Sequence, residues 1–364
     1  MSKARGLADL GNAYDDGALS NRSLIINGAM QVDQRNAGVA VTGITSGVTF
    51  VADRWAFEVG TCGTWTVQQV ASSIAGFGKA VRVTCTSSAS LSAGSYVHLY
   101  TSLEGQDVQQ LLKGTINAKD LSLSFPILCD DTKTFVVEIR DRDNDRHICG
   151  TMTVTSGGVE QDVSFNFAGD TTGSFDDDNN QSFQMIIWLA AGSNYSSGTL
   201  ATSWASRVNA NRAVGASNLA DATSNYFEIT GVQLEVGDTA SPFEHRSYGD
   251  ELARCQRYFT TFRPETSAGV THAGFANTNN RSTTNRYAVV HFPTEMRIRP
   301  TLSSSGSFNA FTAATSTGIT EFIMNGGTKH SAEIVVVVPA NGSVGDGGWV
   351  RINANAYVNF DAEL

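Results

Sequence analysis

The residues with the clearest chemical potential form a short acidic run, Asp141-Arg142-Asp143-Asn144-Asp145. Carboxylates at alternate positions of an irregular turn can converge on one hard cation, with oxygens at about 2.4 Å. Asp141, Asp143 and Asp145 are therefore candidate ligands of a structural calcium ion. The run is not an EF-hand, because Arg146 stands where the turn glycine belongs and Met152 where the bidentate glutamate belongs. The competing reading is a solvated acidic turn between strands. A second run, Asp176-Asp177-Asp178, specifies no geometry, since consecutive like charges repel.

Sugar recognition is the other chemistry within reach. It needs aromatic faces for stacking, with planar amides or carboxylates for hydroxyls. The large aromatics of the first two-thirds are Trp65, Tyr96, Tyr100, Trp188, Tyr195 and Trp204. Trp188 lies in an apolar run and reads as core, whereas Tyr195 and Trp204 flank a Ser/Gly-rich loop. Trp65, Tyr195 and Trp204 are the candidate sugar contacts, each with core packing as its alternative role. No Gly-x-Ser-x-Gly elbow, Walker loop or His-Glu-x-x-His is present. The six histidines are isolated, and His245, between Glu244 and Arg246, reads as structural. No catalytic residue is assigned, and the expected class is non-enzymatic.

The elements that must hold these residues are β-strands. Leu121, Leu123 and Phe125 alternate with Ser122 and Ser124, which puts the apolar set on one face. Further strands are expected at 24–26, 54–59, 64–70, 80–86, 96–103, 134–139, 163–167, 183–189 and 227–236, with one helix at 106–113. Short strands with turn signals at this spacing fit a jelly-roll β-sandwich over 23–243. The run Gly231–Phe259 then reads as a strand stopped at Ser241-Pro242, followed by a short helix. Ser247 and Asp250 have capping-box spacing, and Leu252, Cys255 and Phe259 recur at helical spacing. Residues 244–259 are thus a connector, in which Glu244, Arg246, Asp250, Glu251, Arg254 and Arg257 form a charge-paired assembly joint. A smaller C-terminal β-sandwich follows at 260–364, with strands at 287–292, 308–311, 321–324, 333–338 and 349–360. Residues 1–22 form a short extension with too few apolar residues for a core. The fold class is all-β.

A net charge of −10 argues against nucleic acid and anionic membrane surfaces as partners. The five cysteines, at 62, 85, 129, 149 and 255, lack zinc spacing and read as buried free thiols. No run resembles a signal peptide or reaches membrane-spanning length.

Four blocks together resemble tail-fibre and related virion proteins of tailed bacteriophages, especially marine ones. They are Asn21–Arg35, Ala52-Asp53-Arg54-Trp55, the junction through Cys255–Phe259, and Phe292–Arg297. The resemblance implies a virion protein made in the host cytoplasm. It implies a carbohydrate-binding-like jelly roll, a distal β-domain that meets the host, and assembly as a homotrimer. It places attachment to other tail or virion proteins in the N-terminal extension and names a host surface glycan as partner. Such jelly rolls often carry a structural calcium; no other cofactor is implied. A head fibre, capsid decoration or fibre-to-tail adaptor is the first alternative, and a glycan-degrading tailspike the second.

Overall fold

The structure, a computed structural model, describes residues 21–265, 270–312, 315–340 and 342–364. The expected virion-attachment extension lies outside the described residues, save Asn21 and Arg22. The chain divides between Glu251 and Leu252 into two compact units, which falls inside the expected connector.

The first unit is a jelly-roll-type β-sandwich made from one curled antiparallel sheet. Its strands are β1 (Val41–Ala52), β2 (Trp55–Ala71), β3 (Lys79–Ser87), β4 (Tyr96–Glu104), β5 (Leu121–Cys129) and β6 (Thr134–Asp141). They continue as β7 (Arg146–Thr153), β8 (Gln161–Phe167), β9 (Gln181–Ala191), β10 (Ala205–Ser206), β11 (Tyr226–Ile229) and β12 (Gln233–Val236). The order is β10-β7-β6-β9-β4-β2-β3-β11-β5-β12, with β1 on β2 and β8 on β5. Phe135 of β6 and Phe227 of β11 stand far apart in that order, yet their ring centroids are 5.1 Å apart. The sheet has curled over and packed on itself. Strand periodicity decides what goes inside: Val97, Leu99 and Leu103 of β4 join the core, while Tyr96, His98 and Tyr100 face away.

The second unit holds two sheets. Strands β13 (Phe259–Phe262), β22 (Tyr357–Asp361) and β16 (Thr301–Ser305) form one, in that order. The other runs β18 (Ser316–Gly318), β17 (Phe308–Thr312), β21 (Gly347–Asn353), β14 (His272–Asn280), β15 (Asn285–His291), β20 (Ser331–Val337), β19 (Glu321–Gly327). Ile334, Val336, Val350, Ile352, Val358 and Phe360 fill its core.

Several expectations need correction. Leu24–Ile26 is not a strand; the Leu24 N–H bonds the Leu234 carbonyl singly, at 2.8 Å. The helix expected at 106–113 is two single 3-10 turns, ended by Leu112 in the left-handed region at φ 48°. The run 349–360 breaks at a turn where Asn355 has φ 61°. Strand β1 was not foreseen, because its Gly- and Thr-rich sequence lies mostly exposed. Conversely, Tyr248–Gln256 is a helix, with the Ser247 hydroxyl accepting the Asp250 N–H at 3.2 Å and donating to its carboxylate at 2.6 Å.

The segment after residue 20 has no ladder to hold it, so side chains do. The fully buried Asn27 amide donates to the carbonyls of Val32 (2.8 Å) and Asp53 (2.9 Å) and accepts the Val32 N–H (3.0 Å). The Trp55 indole N–H bonds the Asn27 carbonyl at 3.1 Å, and Glu251 accepts the Asn27 N–H. Arg246 donates to the carbonyls of Ser23 and Ile25, and Glu244 accepts the Asn21 N–H at 2.7 Å. Replacing Asn27 with Ala strands several buried polar groups, each of which costs about 1–3 kcal/mol unpaired. Urea denaturation should show Asn27→Ala weakening the first unit by at least about 3 kcal/mol; a loss within experimental scatter would contradict this role.

Candidate functional site

On the sheet face turned away from the core, β2, β4, β9 and β6 lie side by side. Their registers align Glu58 with His98, His98 with Trp188, Ser102 with Gln184, and Gln184 with Arg140. Antiparallel partners point the same way, so these side chains form one lattice. Tyr195, from the single-turn helix Ser193–Ser196, and Arg212, from the loop after β10, close it from the side. The result is an open cleft of ≈ 320 Å³, lined by Glu58, Tyr96, His98, Tyr100, Trp188 and Tyr195 together with Arg140, Arg142, Arg212 and Gln184.

Below the cleft lies a buried charge centre. Glu138, 0% exposed, accepts Arg212 Nε on both oxygens (3.0 and 3.1 Å), His147 Nδ1 (3.0 Å) and the Trp188 indole N–H (2.9 Å). Burial is the largest influence and raises its pKa, but His147 and Arg212 together outweigh it, leaving Glu138 at about 2. The Arg212 guanidinium also lies 4.7 Å above the Trp188 ring, a cation–π contact.

Around that centre the aromatic rings brace one another. Tyr96 stacks on His98 at 5.2 Å, and Tyr195 meets Trp188 at 5.3 Å and Tyr96 at 5.5 Å. Gly60 makes this arrangement possible, since a Cβ there would sit 2.1 Å from the Tyr96 ring. The Tyr96 hydroxyl (2.8 Å) and His98 Nε2 (3.0 Å) both donate to Glu58. The His98 hydrogen bond is the main cause holding the Glu58 carboxyl below its usual range. Burial, with Glu58 adding, pushes Tyr96 and Tyr100 up to about 12, so both remain O–H donors. Burial also lowers Arg140 to about 10, with the charges of Arg142, Arg207 and Arg212 acting the same way.

Of the three expected sugar contacts, the structure brings only Tyr195 to this cleft. Trp65 is corrected: it is 0% exposed, packs on Phe57 at 5.6 Å and donates to the Cys62 carbonyl inside the core. Its position on β2 is an inward one. Trp204 is half-buried with its indole N–H on the Ala168 carbonyl and is not among the cleft's lining residues. Trp188 is buried as expected, but on the outer face beneath Arg212. The residues missed are Glu58, Tyr96, His98, Tyr100, Arg140, Arg142 and Arg212. The signal for part of the set was in the chain: Tyr96-x-His98-x-Tyr100, with Val97 and Leu99 between, is a polar-aromatic row at period two.

The structure places the three expected calcium ligands, Asp141, Asp143 and Asp145, on protein partners. Asp141 is buried, takes the N–H groups of Asp143 and Asn144 at 3.0 Å, and meets Lys113 Nζ at 2.7 Å. Asp143 accepts the Asp176 N–H at 3.0 Å, while Asp145 binds Arg207 (2.6 Å) and Arg140 (3.1 Å). The turn splays the carboxylates onto separate partners, and a lysine supplies the cation. Among the described residues, the one group with three potential metal ligands in reach is Glu138, His147 and Cys149. It does not fit a metal, because Arg212 already holds both Glu138 oxygens and burial pushes the Cys149 thiol up. In the connector, Glu244, Arg246 and Glu251 clamp residues 21–27 as described above, and Asp250 caps the helix. Arg254 stands in the helix's last turn, and the Arg257 carbonyl accepts the Arg297 N–H at 2.7 Å.

No protein-family model matches the chain, and no curated protein matches it by sequence. Solved structures do. The carbohydrate-binding module TmCBM61 in complex with β-1,4-galactotriose is similar at 8% identity and TM-score 0.32, over 59% of this chain and 99% of that one. The enzymatically active domain of bacteriophage CBA120 tailspike protein 4 is similar at 10% identity and TM-score 0.28, over 59% of this chain and 21% of that one. The family 11 carbohydrate-binding module of a Clostridium thermocellum cellulase is similar at 14% identity and TM-score 0.27, over 56% of this chain and 100% of that one. At these scores the likenesses carry no argument about ligands.

Three tests follow from the charges. Glu138 is held below its ordinary 4.5, so its contribution to stability is complete above that value and fades as pH falls towards about 2. Glu138→Gln should lower the urea midpoint at pH 6 and flatten its decline between pH 4.5 and 2; an unchanged slope contradicts the assignment. Lys113→Met should weaken the fold by about 3–5 kcal/mol, since it leaves the buried Asp141 carboxylate without its cation. EDTA should leave the melting temperature unchanged, and a fall on chelation would restore the calcium reading.

Proposed function

We propose that this protein is a non-enzymatic virion component of a tailed bacteriophage, a trimeric tail fibre whose first sandwich binds a host surface glycan. The observation that carries the glycan reading is the cleft, where Tyr96, Tyr100 and Tyr195 offer partly exposed rings beside Glu58, Gln184 and three guanidiniums. Apolar ring faces with a few convergent polar groups are what a small-ligand site requires. Glu58 is the single acidic side chain lining it, beside the chain-terminal Leu364, whereas glycoside hydrolysis ordinarily uses a pair of acidic side chains. That favours binding over cleavage. The virion assignment is supported by the four sequence blocks. Resemblance alone pointed to the distal domain for host contact; the cleft moves the proposed contact to residues 21–251. A trimer would present three such clefts, and multivalency would turn weak single contacts into firm adhesion.

The full chain should bind a subset of a printed glycan array and adsorb to host cells. Tyr195→Ala should reduce that binding about tenfold or more with little change in melting temperature, as loss of a central aromatic contact does. Equal binding by Tyr195→Ala contradicts the cleft as the site. Native mass spectrometry should give a trimer, and a stable monomer at micromolar concentration would remove the multivalent mechanism.

A further inference from the structure

We propose that the cleft selects saccharides bearing carboxylate groups, with Arg142 forming the ion pair and Arg140 and Arg212 setting the surrounding positive field. The proposal rests on the glycan-binding reading above and names the class of sugar. The chain carries a net charge of −10, yet this one cleft gathers arginines. Two of them already have partners. Arg212 is bound to Glu138 and lies over Trp188, and Arg140 shares Asp145 with Arg207. Arg142 is exposed and has no carboxylate partner among the described residues.

Its backbone is nonetheless fixed, because its N–H bonds the Ser182 carbonyl at 2.8 Å beside the end of β9. The fixed main chain roots the side chain at the cleft, and the planar fork of arginine matches a carboxylate with two parallel hydrogen bonds. The charge of Arg142 reaches Tyr100, where it opposes the upward push of burial on the phenol. A carboxylated sugar stacked on the tyrosine rings would therefore meet the guanidinium at its edge. On the other side, Glu58 accepts from Tyr96 and His98 and retains acceptor capacity for a sugar hydroxyl. Ring faces, one acceptor and one unpaired planar cation together describe a uronate-type residue better than a neutral hexose.

The test uses the full chain on an array carrying neutral, carboxylated and sulfated saccharides, followed by titration calorimetry of the strongest ligand and of its methyl-esterified form. Carboxylated saccharides should dominate, and esterification should weaken binding about tenfold or more, the worth of one charge-assisted hydrogen bond. Arg142→Gln should abolish that preference with the melting temperature unchanged, so that the methyl-esterified and free-acid forms bind alike. Raising salt from low to about 0.5 M should also weaken the acidic ligand selectively. Binding confined to neutral saccharides overturns the acidic-sugar proposal and leaves the glycan-binding function standing. A preference for sulfated over carboxylated saccharides overturns the choice of anion. No binding to any saccharide removes the function itself, and the proposal with it.

Discussion

Glu138 is fully buried, and burying a lone carboxylate would cost several kcal/mol unless cations and N–H donors met it. Here Arg212, His147 and the Trp188 indole all do. Two of those contacts, from Arg212 and Trp188, also fix parts of the cleft. Arg212 is pinned so that its charge covers Trp188, Trp188 is pinned so that its edge supports Tyr195, and the Tyr96–Tyr195 contact follows from that. The aromatic wall is thus an outward extension of one satisfied buried charge. Removing the charge would leave a guanidinium without its partner and an indole N–H without an acceptor, and the wall would lose its support.

A second constraint acts at the other end of the first unit. Residues 21–27 have no ladder, so their backbone groups depend on Asn27, Glu244, Arg246 and Glu251. The blocks at 21–35 and 52–55 and the start of the junction, which stood apart in the sequence, meet at this joint. The junction's charged residues were expected to serve assembly. Within the chain, Glu244, Arg246 and Glu251 serve to dock the segment that follows residue 20.

The all-β class and most core strands were legible because period-two alternation survives in segments such as Leu121–Leu128 and Phe183–Leu189. Strand β1 was not, since its alternating residues are Gly and Thr on a largely exposed edge. The cleft was only partly legible. Tyr195 was identified from its loop, but Trp65 misled because an aromatic on a strand has two faces open to it and neighbours decide which is inward. Arg140, Arg142 and Arg212 could not be joined to Tyr96 and Tyr100, because the strand order β6-β9-β4-β2 brings together residues more than 30 apart. The partners of the acidic run were illegible for a related reason. Sequence shows three carboxylates at alternate positions, and only the fold shows that Lys113 already neutralises the first.

The most direct measurement of the central claim is a crystal structure of the full chain with a bound host saccharide. The account predicts a sugar ring against Tyr195 and Tyr100, with hydroxyls at Glu58. A saccharide bound elsewhere, for example on the exposed Trp349 that stacks on Phe311 in the second unit, with the cleft empty, would contradict it.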